Sequence, residues 1–317
     1  MSEDSKKEIL AGLDRPLRIG TRQSPLAMAQ ATMAANALLS VHGWRPDQVE
    51  LVPMIASGDK ILDRALAEIG GKALWTKELD RALGDGEIDC AVHSMKDVET
   101  IRPGEFILAA MLERADIHDR LIGAESIDAL AERAIVGTAS PRRKAQLLRL
   151  RSDLDIRLIR GNVQSRLQKI EDGDYDATLL AAAGLNRLEM EDVGVDISDE
   201  VMLPAPAQGA IGIEARSDDP HVRRLMHAIS SPNTFRAVIA ERLFLERLTA
   251  DCHSPVAALA IIDGATVHLR AEILLPDGTE CIAGNSSFDT GDVSAPGILA
   301  DTLLGQASAE LKAVFGR

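Results

Sequence analysis

The chain is short of the features that would send it to a membrane, an oxidising compartment or a nucleic acid. Its 317 residues include three cysteines, Cys90, Cys252 and Cys281. They are odd in number and widely spaced, which excludes a disulfide framework and suits a reducing cytosol. No C-x-x-C or H-E-x-x-H spacing is present, so no zinc or other metal site is expected. Aromatic residues are sparse (two Trp, one Tyr and five Phe), too few for a platform on which single-stranded nucleic acid could stack. No stretch reaches the roughly eighteen uncharged apolar residues of a membrane span. The charged opening "MSEDSKKEILAGLDRP" has no apolar segment of the signal-peptide type, which predicts a soluble, cytoplasmic protein. The net charge of −14 further argues against a nucleic-acid partner.

What is present is ample core and a displaced charge. Hydrophobic residues make up 46% of the chain, and its length accommodates two or three domains. Against the acidic total, the stretch from Arg133 to Lys169 holds ten basic residues and only two acids, Asp153 and Asp155. A positive island on an acidic protein is either an ordinary solvated face or a site for a polyanionic ligand.

Short apolar strands alternate with amphipathic helices, the pattern of α/β domains. "LRIG" is a strand and "SPLAMAQATMAANALLS" a helix, with Ser24 at its N-cap and Pro25 at its first position. "VELVPMI", "IDCAVHS", "AIVGT", "IRLIRGN" and "DATLLAAA" continue the strands; "TKELDRALGDG", "SPRRKAQLLRL" and "VQSRLQKIEDG" continue the helices. An internal echo stands out: "IGTRQSP" (19–25) and "VGTASP" (136–141) share strand, Gly-Thr, spacer and Ser-Pro. The echo predicts two similar domains, each offering a helix N-terminus that favours anions, with Arg22 at the first turn and Arg142 and Arg143 at the second. Two such sites would face a common cleft. The last third differs. A long helix over "SPNTFRAVIAERLFLERLTA", a hairpin over "TVHLRAEILLPDGTECIAG" turning at Asp277-Gly278, and a closing helix over "APGILADTLLGQASAELKAVF" predict a small α+β domain.

Five stretches could carry chemistry. In "AVHSMKDVE", Lys96 and Asp97 follow a strand that ends near His93. They are either a weak surface pair or a carboxylate tuned for acid–base work, and His93 fits a satisfied core histidine. "GGKALWTKE" places Lys72 and Trp75 in a glycine-led loop that fits a lid. "LIRGNVQSR" contributes Arg160 and Arg166, and "GLNRLE" adds Arg187; arginine suits bidentate recognition of carboxylates. In "LTADCHSPVAALA", Cys252 beside His253 leaves a nucleophile, a metal ligand and a buried thiol all open.

Taken in order, "RIGTRQSPLA", "GGKALWTKEL", "AVHSMKDV", "IVGTASPRR", "LIRGNVQSRL", "LLAAAGLNRL", "LPAPAQGAIGIEAR" and "ERLFLERLTADCHSPVAA" resemble the motifs of the porphobilinogen deaminase (hydroxymethylbilane synthase) family, from residue 16 to the C-terminus. The resemblance implies two periplasmic-binding-protein-like (type II) α/β domains plus a small α+β C-terminal domain. The corresponding boundaries are 14–112 with 210–229, 113–209, and 230–317. It implies a transferase of porphyrin and heme biosynthesis. Such an enzyme takes the small-molecule substrate porphobilinogen and extends a dipyrromethane cofactor held by a thioether on Cys252. It acts as a cytoplasmic monomer without a nucleic-acid or membrane partner.

By the same resemblance Asp97 is the catalytic aspartate, expected to be ionised beside Lys96. Cofactor binding falls to Cys252, Lys96, Arg142, Arg143, Thr138, Ser140, Asn162, Arg166 and Arg187. Substrate binding falls to Arg22, Ser24, Arg160, Gln208 and the lid residues Lys72 and Trp75. Each pyrrole brings two carboxylates, which accounts for a basic island in an acidic chain. The chain departs from the family pattern at four places: Ala250-Asp251 stand for Gly-Gly, Ala139-Ser140-Pro141 for Ser-Ser-Leu, Trp75 for Phe, and Ala207 for a glycine before Gln208. None removes a charged or catalytic group. A non-catalytic two-lobed polycarboxylate binder is the alternative; it leaves the Lys96-Asp97 pair and the thiol without a task.

Overall fold

The computed structural model describes residues 15–55 and 76–317, so the expected lid residues Lys72 and Trp75 lie outside the described residues. The described chain divides into two compact units, one of residues 15–55, 76–114 and Ala210–Phe235, the other of Ala115–Gly209 and Arg236–Arg317.

In the first unit, strand β1 (Leu17–Arg22) runs parallel to β2 (Val49–Met54) and β3 (Cys90–Ser94). Strand β10 (Ile211–Arg216) enters from far along the chain and lies antiparallel between β3 and β4 (Phe106–Met111), giving the order β2-β1-β3-β10-β4. Successive side chains of β3 alternate between faces. Cys90 and Val92 join Ala31, Ala34 and Leu38 of helix α1 (Pro25–His42), whereas Ala91 joins Leu79 and Leu83 of α2 (Lys77–Gly84). The run of small residues in α1 lets it lie close against the sheet. Ser24 caps it by accepting a hydrogen bond from the Ala27 amide (3.3 Å), and it ends at Gly43 in the left-handed conformation (φ 65°). Helix α6 (Pro220–His227), capped by Asp219, completes this core with Val222, Leu225 and Met226.

The second unit repeats the plan. Strand β6 (Ile135–Gly137) is parallel to β7 (Asp155–Arg157) and β8 (Ala177–Ala181). Strand β5 (Asp119–Ile122) lies antiparallel between β8 and β9 (Val195–Ile197), so the order is β7-β6-β8-β5-β9. Helices α3 (Pro141–Leu150), capped by Ser140, α4 (Val163–Glu171), capped by Asn162, and α5 (Ala182–Asn186) follow β6, β7 and β8. In each sheet one antiparallel strand is inserted beside the third parallel one, which is the type II periplasmic-binding-protein arrangement. The echo of "IGTRQSP" in "VGTASP" therefore marks equivalent strand-to-helix junctions.

The C-terminal part is the expected small α+β domain. Helix α7 (Pro232–Leu248) leads to an antiparallel sheet of β11 (Val256–Asp263), β12 (Thr266–Leu274) and β13 (Cys281–Asp289). Phe244, Leu248, Leu269, Ile273, Leu299, Leu303 and Leu311 form its core. The apolar "VAALAII" run is thus a third strand beside the predicted hairpin. The closing helix is two, α8 (Ala295–Gln306) and α9 (Ala309–Val314), because Ser308 caps the second through the Leu311 amide (3.1 Å). Among the described residues no helix is long and apolar enough to cross a membrane.

Candidate active site

Strand β1 of the first unit ends at Arg22, half-buried, and Ser24 spends its hydroxyl on the α1 cap. Strand β3 ends in a short 3-10 turn, Met95–Asp97, which places Lys96 and Asp97 half-buried at the C-terminal end of the sheet. Ligands of open α/β sheets bind at that end. The turn rests on the segment 210–214. The Met95 amide donates to the Ala210 carbonyl (3.1 Å), and the Met95 side chain fills the space that a Cβ on Gly212 would need. Behind the turn is a buried polar cluster. Glu214 is fully buried; its Oε2 is 3.1 Å from Nε2 of His93, and both its oxygens accept from Arg102 (2.8 and 2.9 Å). Arg102 also donates to Glu99, Asp80 and Thr76. Burial alone would raise the Glu214 carboxyl, but His93 and Arg102 outweigh it and bring it down to about 2.

In the second unit Ser140 caps α3 by accepting from the Arg143 amide (3.4 Å), and the Thr138 hydroxyl accepts from the Ser140 amide (3.1 Å). Arg142 and Arg143 are buried against Asp119, at 2.8 and 2.7 Å. Burial pushes the Asp119 carboxyl up, yet the two guanidinium groups hold it well below the usual carboxylate range. Gln208, expected at the substrate, is fully buried and donates to Asp119 (2.9 Å) and to the Ile117 carbonyl (2.8 Å). Asn162 accepts from the Ser165 amide (2.9 Å), Arg166 Nε donates to the Gly161 carbonyl (3.0 Å), and Arg160 is buried at the β7–α4 junction. Arg187 follows α5 and donates to the Gly209 carbonyl (2.6 Å). Burial lowers its pKa to about 10, and no carboxylate among the described residues offsets that burial. The residues the sequence did not single out are Asp119, Glu214 and Arg102. His93, expected as a core histidine, is one, with a carboxylate partner.

The three thiols differ sharply. Cys90 is fully buried and its thiol is pushed far up by burial; Cys281 is half-buried and raised to about 11 by burial and Glu272. Cys252 is exposed, three residues beyond the loop-forming Thr249, and none of the three is in a disulfide. Helix α7 stops because the Ala250 amide turns back to the Leu245 carbonyl and the Thr249 amide to that of Glu246, both at 2.9 Å, with Thr249 at a φ of 56°. The Asp251 carboxylate then accepts from the His253 amide (2.8 Å), forming a tight turn that has Cys252 at its centre.

This plan defines the class: a protein with two binding-protein-type α/β sheets and a C-terminal domain that offers an exposed thiol. Four of its arginines, Arg18, Arg142, Arg143 and Arg187, have a buried Nε without a hydrogen-bond partner, and the last three, gathered in the second unit, fit a group rich in carboxylates. Residues 17–224 match the family profile "Porphobilinogen deaminase, dipyromethane cofactor binding domain", and residues 235–301 match "Porphobilinogen deaminase, C-terminal domain". The chain belongs to the porphobilinogen deaminase family. It is 55% identical over 314 residues to the porphobilinogen deaminase of Sphingopyxis alaskensis (96% of this chain, 98% of the relative). It is 46% identical over 299 residues to that of Paracoccus denitrificans (93% and 96%). Among solved structures, the Bordetella pertussis BvgS VFT2 domain is similar at 13% identity and a TM-score of 0.42 (76% of this chain, 97% of that one), too remote to bear on function. Family membership supports a transferase of tetrapyrrole synthesis with a dipyrromethane cofactor, and nothing favours the non-catalytic binder.

Proposed function

We propose that this chain acts as a hydroxymethylbilane synthase in which Cys252 anchors the dipyrromethane primer and Asp97 carries the chemistry of each addition. Four porphobilinogen molecules are joined in turn. At each addition the C–N bond of the substrate aminomethyl group breaks, ammonia leaves, a C–C bond forms, and one proton is released from the attacked pyrrole carbon. When bound, the primer supplies the nucleophilic pyrrole carbon and up to four carboxylates.

The protein's own groups do the rest. The Asp97 carboxylate offsets the positive charge that develops on the substrate pyrrole as the amine departs, and it accepts the proton released on coupling. Lys96 holds a carboxylate beside it. Arg142, Arg143 and Arg187, with Thr138, Ser140, Asn162 and Arg166, bind the acetate and propionate groups of the primer and chain. Arg22, Ser24 and Arg160 hold those of the incoming substrate, and Gln208 acts by steadying Asp119 behind the arginine pair. The domains on this reading are 14–112 with 210–229, 113–209, and 230–317, in a cytoplasmic monomer.

The single observation that carries the anchor is chemical accessibility: of three thiols only Cys252 is exposed. Intact mass tests it. The purified chain is expected to be heavier than its sequence by two pyrrole units, and Cys252→Ser to weigh what its sequence predicts. An unmodified wild-type chain from cells that make porphobilinogen would overturn the assignment.

A further inference from the structure

We infer that Glu214 is the positioning residue of the Asp97 turn: it grips both flanks of that turn at once, through His93 before it and Arg102 after it. The inference rests on the reading of Asp97 as the catalytic residue. His93 sits four residues ahead of Asp97 on β3, directly opposite Gly212 of β10, and its Nε2 is 3.1 Å from Glu214 Oε2. Beyond the turn, Arg102 grips Glu214 with two nitrogens at 2.8 and 2.9 Å and Glu99 with a third at 2.8 Å. Between those flanks, Met95 is seated by the Ala210 carbonyl and by the bare Cα of Gly212. Holds on both flanks and on Met95 thus lead to residues 210–214, and Glu214 is the side chain there that reaches both sides.

The chemistry suits a bracing role rather than a reactive one. Glu214 is fully shielded from solvent, so it touches no substrate. A buried carboxylate forked by two charge-assisted hydrogen bonds from Arg102, with the His93 ring 3.1 Å from one oxygen, is rigid, and its partners share that rigidity. Lost alignment of about 1 Å at a reacting group costs on the order of 100-fold in rate. Replacing Glu214 with glutamine keeps the shape but turns one acceptor into an N–H donor, which cannot serve both the guanidinium and the imidazole in the same arrangement. The motif "IGIEAR" thus has a task in the reaction although none of its side chains meets a reactant.

The test is a double-mutant cycle on the full-length, cofactor-loaded enzyme, with loading checked by intact mass and folding by thermal melting. Glu214→Gln is expected to lower kcat by about 10- to 100-fold with KM changed less than about 3-fold. In an Asp97→Glu background, where the carboxylate is already displaced, the same change is expected to cost less than about 3-fold. Wild-type kcat in Glu214→Gln, or equal losses in both backgrounds, overturns the inference. If Glu214→Gln does not fold, Arg102→Lys takes its place in the same cycle: it keeps a cation for Glu214 but gives up the fork to Glu99, and the same two outcomes decide. Near-normal turnover by Asp97→Ala would instead remove the reading of Asp97 itself, whatever Glu214 does.

Discussion

Each α/β sheet buries one carboxylate on its inserted antiparallel strand, Glu214 on β10 and Asp119 on β5, but the two carboxylates keep different company. Asp119 faces two arginines, so its cluster carries surplus positive charge and leaves guanidinium N–H groups unspent. Glu214 shares one arginine with Glu99 and Asp80, so its cluster is surplus in acid. One scaffold thereby serves two purposes. On the proposed function, the acid of the second unit orients cations toward a polycarboxylate, and that of the first steadies a turn whose carboxylate must meet a developing cation. The sign of the leftover charge, rather than the fold, separates the roles.

The contrast can be broken in stages. The largest effect is expected at Asp97→Ala: a loss of about 10²- to 10⁴-fold in kcat with an unchanged melting profile, checked by porphobilinogen consumption. Asp119→Asn leaves two buried guanidinium groups against a neutral amide, and should cost about 3–5 kcal/mol in urea unfolding while lowering the fraction of chain carrying the cofactor mass. Both depressed carboxylates lose stabilisation in acid, and the Glu214 cluster does so within the accessible range. The Glu214 carboxyl falls from its ordinary 4.5 to about 2 on folding, so its stabilisation is complete above pH 4.5 and is lost as pH drops toward 2. Up to about 3 kcal/mol is at stake, and Glu214→Gln should flatten the stability profile across that window.

Smaller effects refine the second unit. Arg160→Gln and Arg166→Gln should each weaken a carboxylate contact by about 1.5–3 kcal/mol, and stall elongation at particular pyrrole counts. Mass spectra of the loaded enzyme read that directly; intermediates distributed as in wild type would count against their placement. The mildest change is Ala207→Gly. Ala207 has a φ of 62°, a region that favours glycine and where the family usually has one. The substitution should raise stability by about 1 kcal/mol, seen as a higher urea midpoint.

Much of the local structure was legible along the chain. Ser24 and Ser140 were expected at N-caps and are there, because capping needs only a hydroxyl, a proline and the next turn of helix. The internal echo identified two matching strand–helix junctions for the same reason. Strands β5 and β10 escaped notice because their partners lie far away in sequence. With them went Asp119 and Glu214, single acids in mixed segments whose charge says nothing until the pairing is known. The single closing helix failed at Ser308, where a cap inside an apolar pattern outweighed the periodicity.

By itself the sequence determined which groups are available: a basic island, a Lys96-Asp97 pair after a strand, and a cysteine just past a long helix. These depend on side-chain chemistry and on contacts within a few residues. Only the tertiary structure decided which of those groups are already spoken for. It buried Arg142 and Arg143 on Asp119, turned Gln208 inward to the same carboxylate, and set the Asp97 turn on a strand from more than a hundred residues away. A buried charge is tolerated only with its partner in place, and a partner that remote is supplied by strand pairing, which no local pattern encodes.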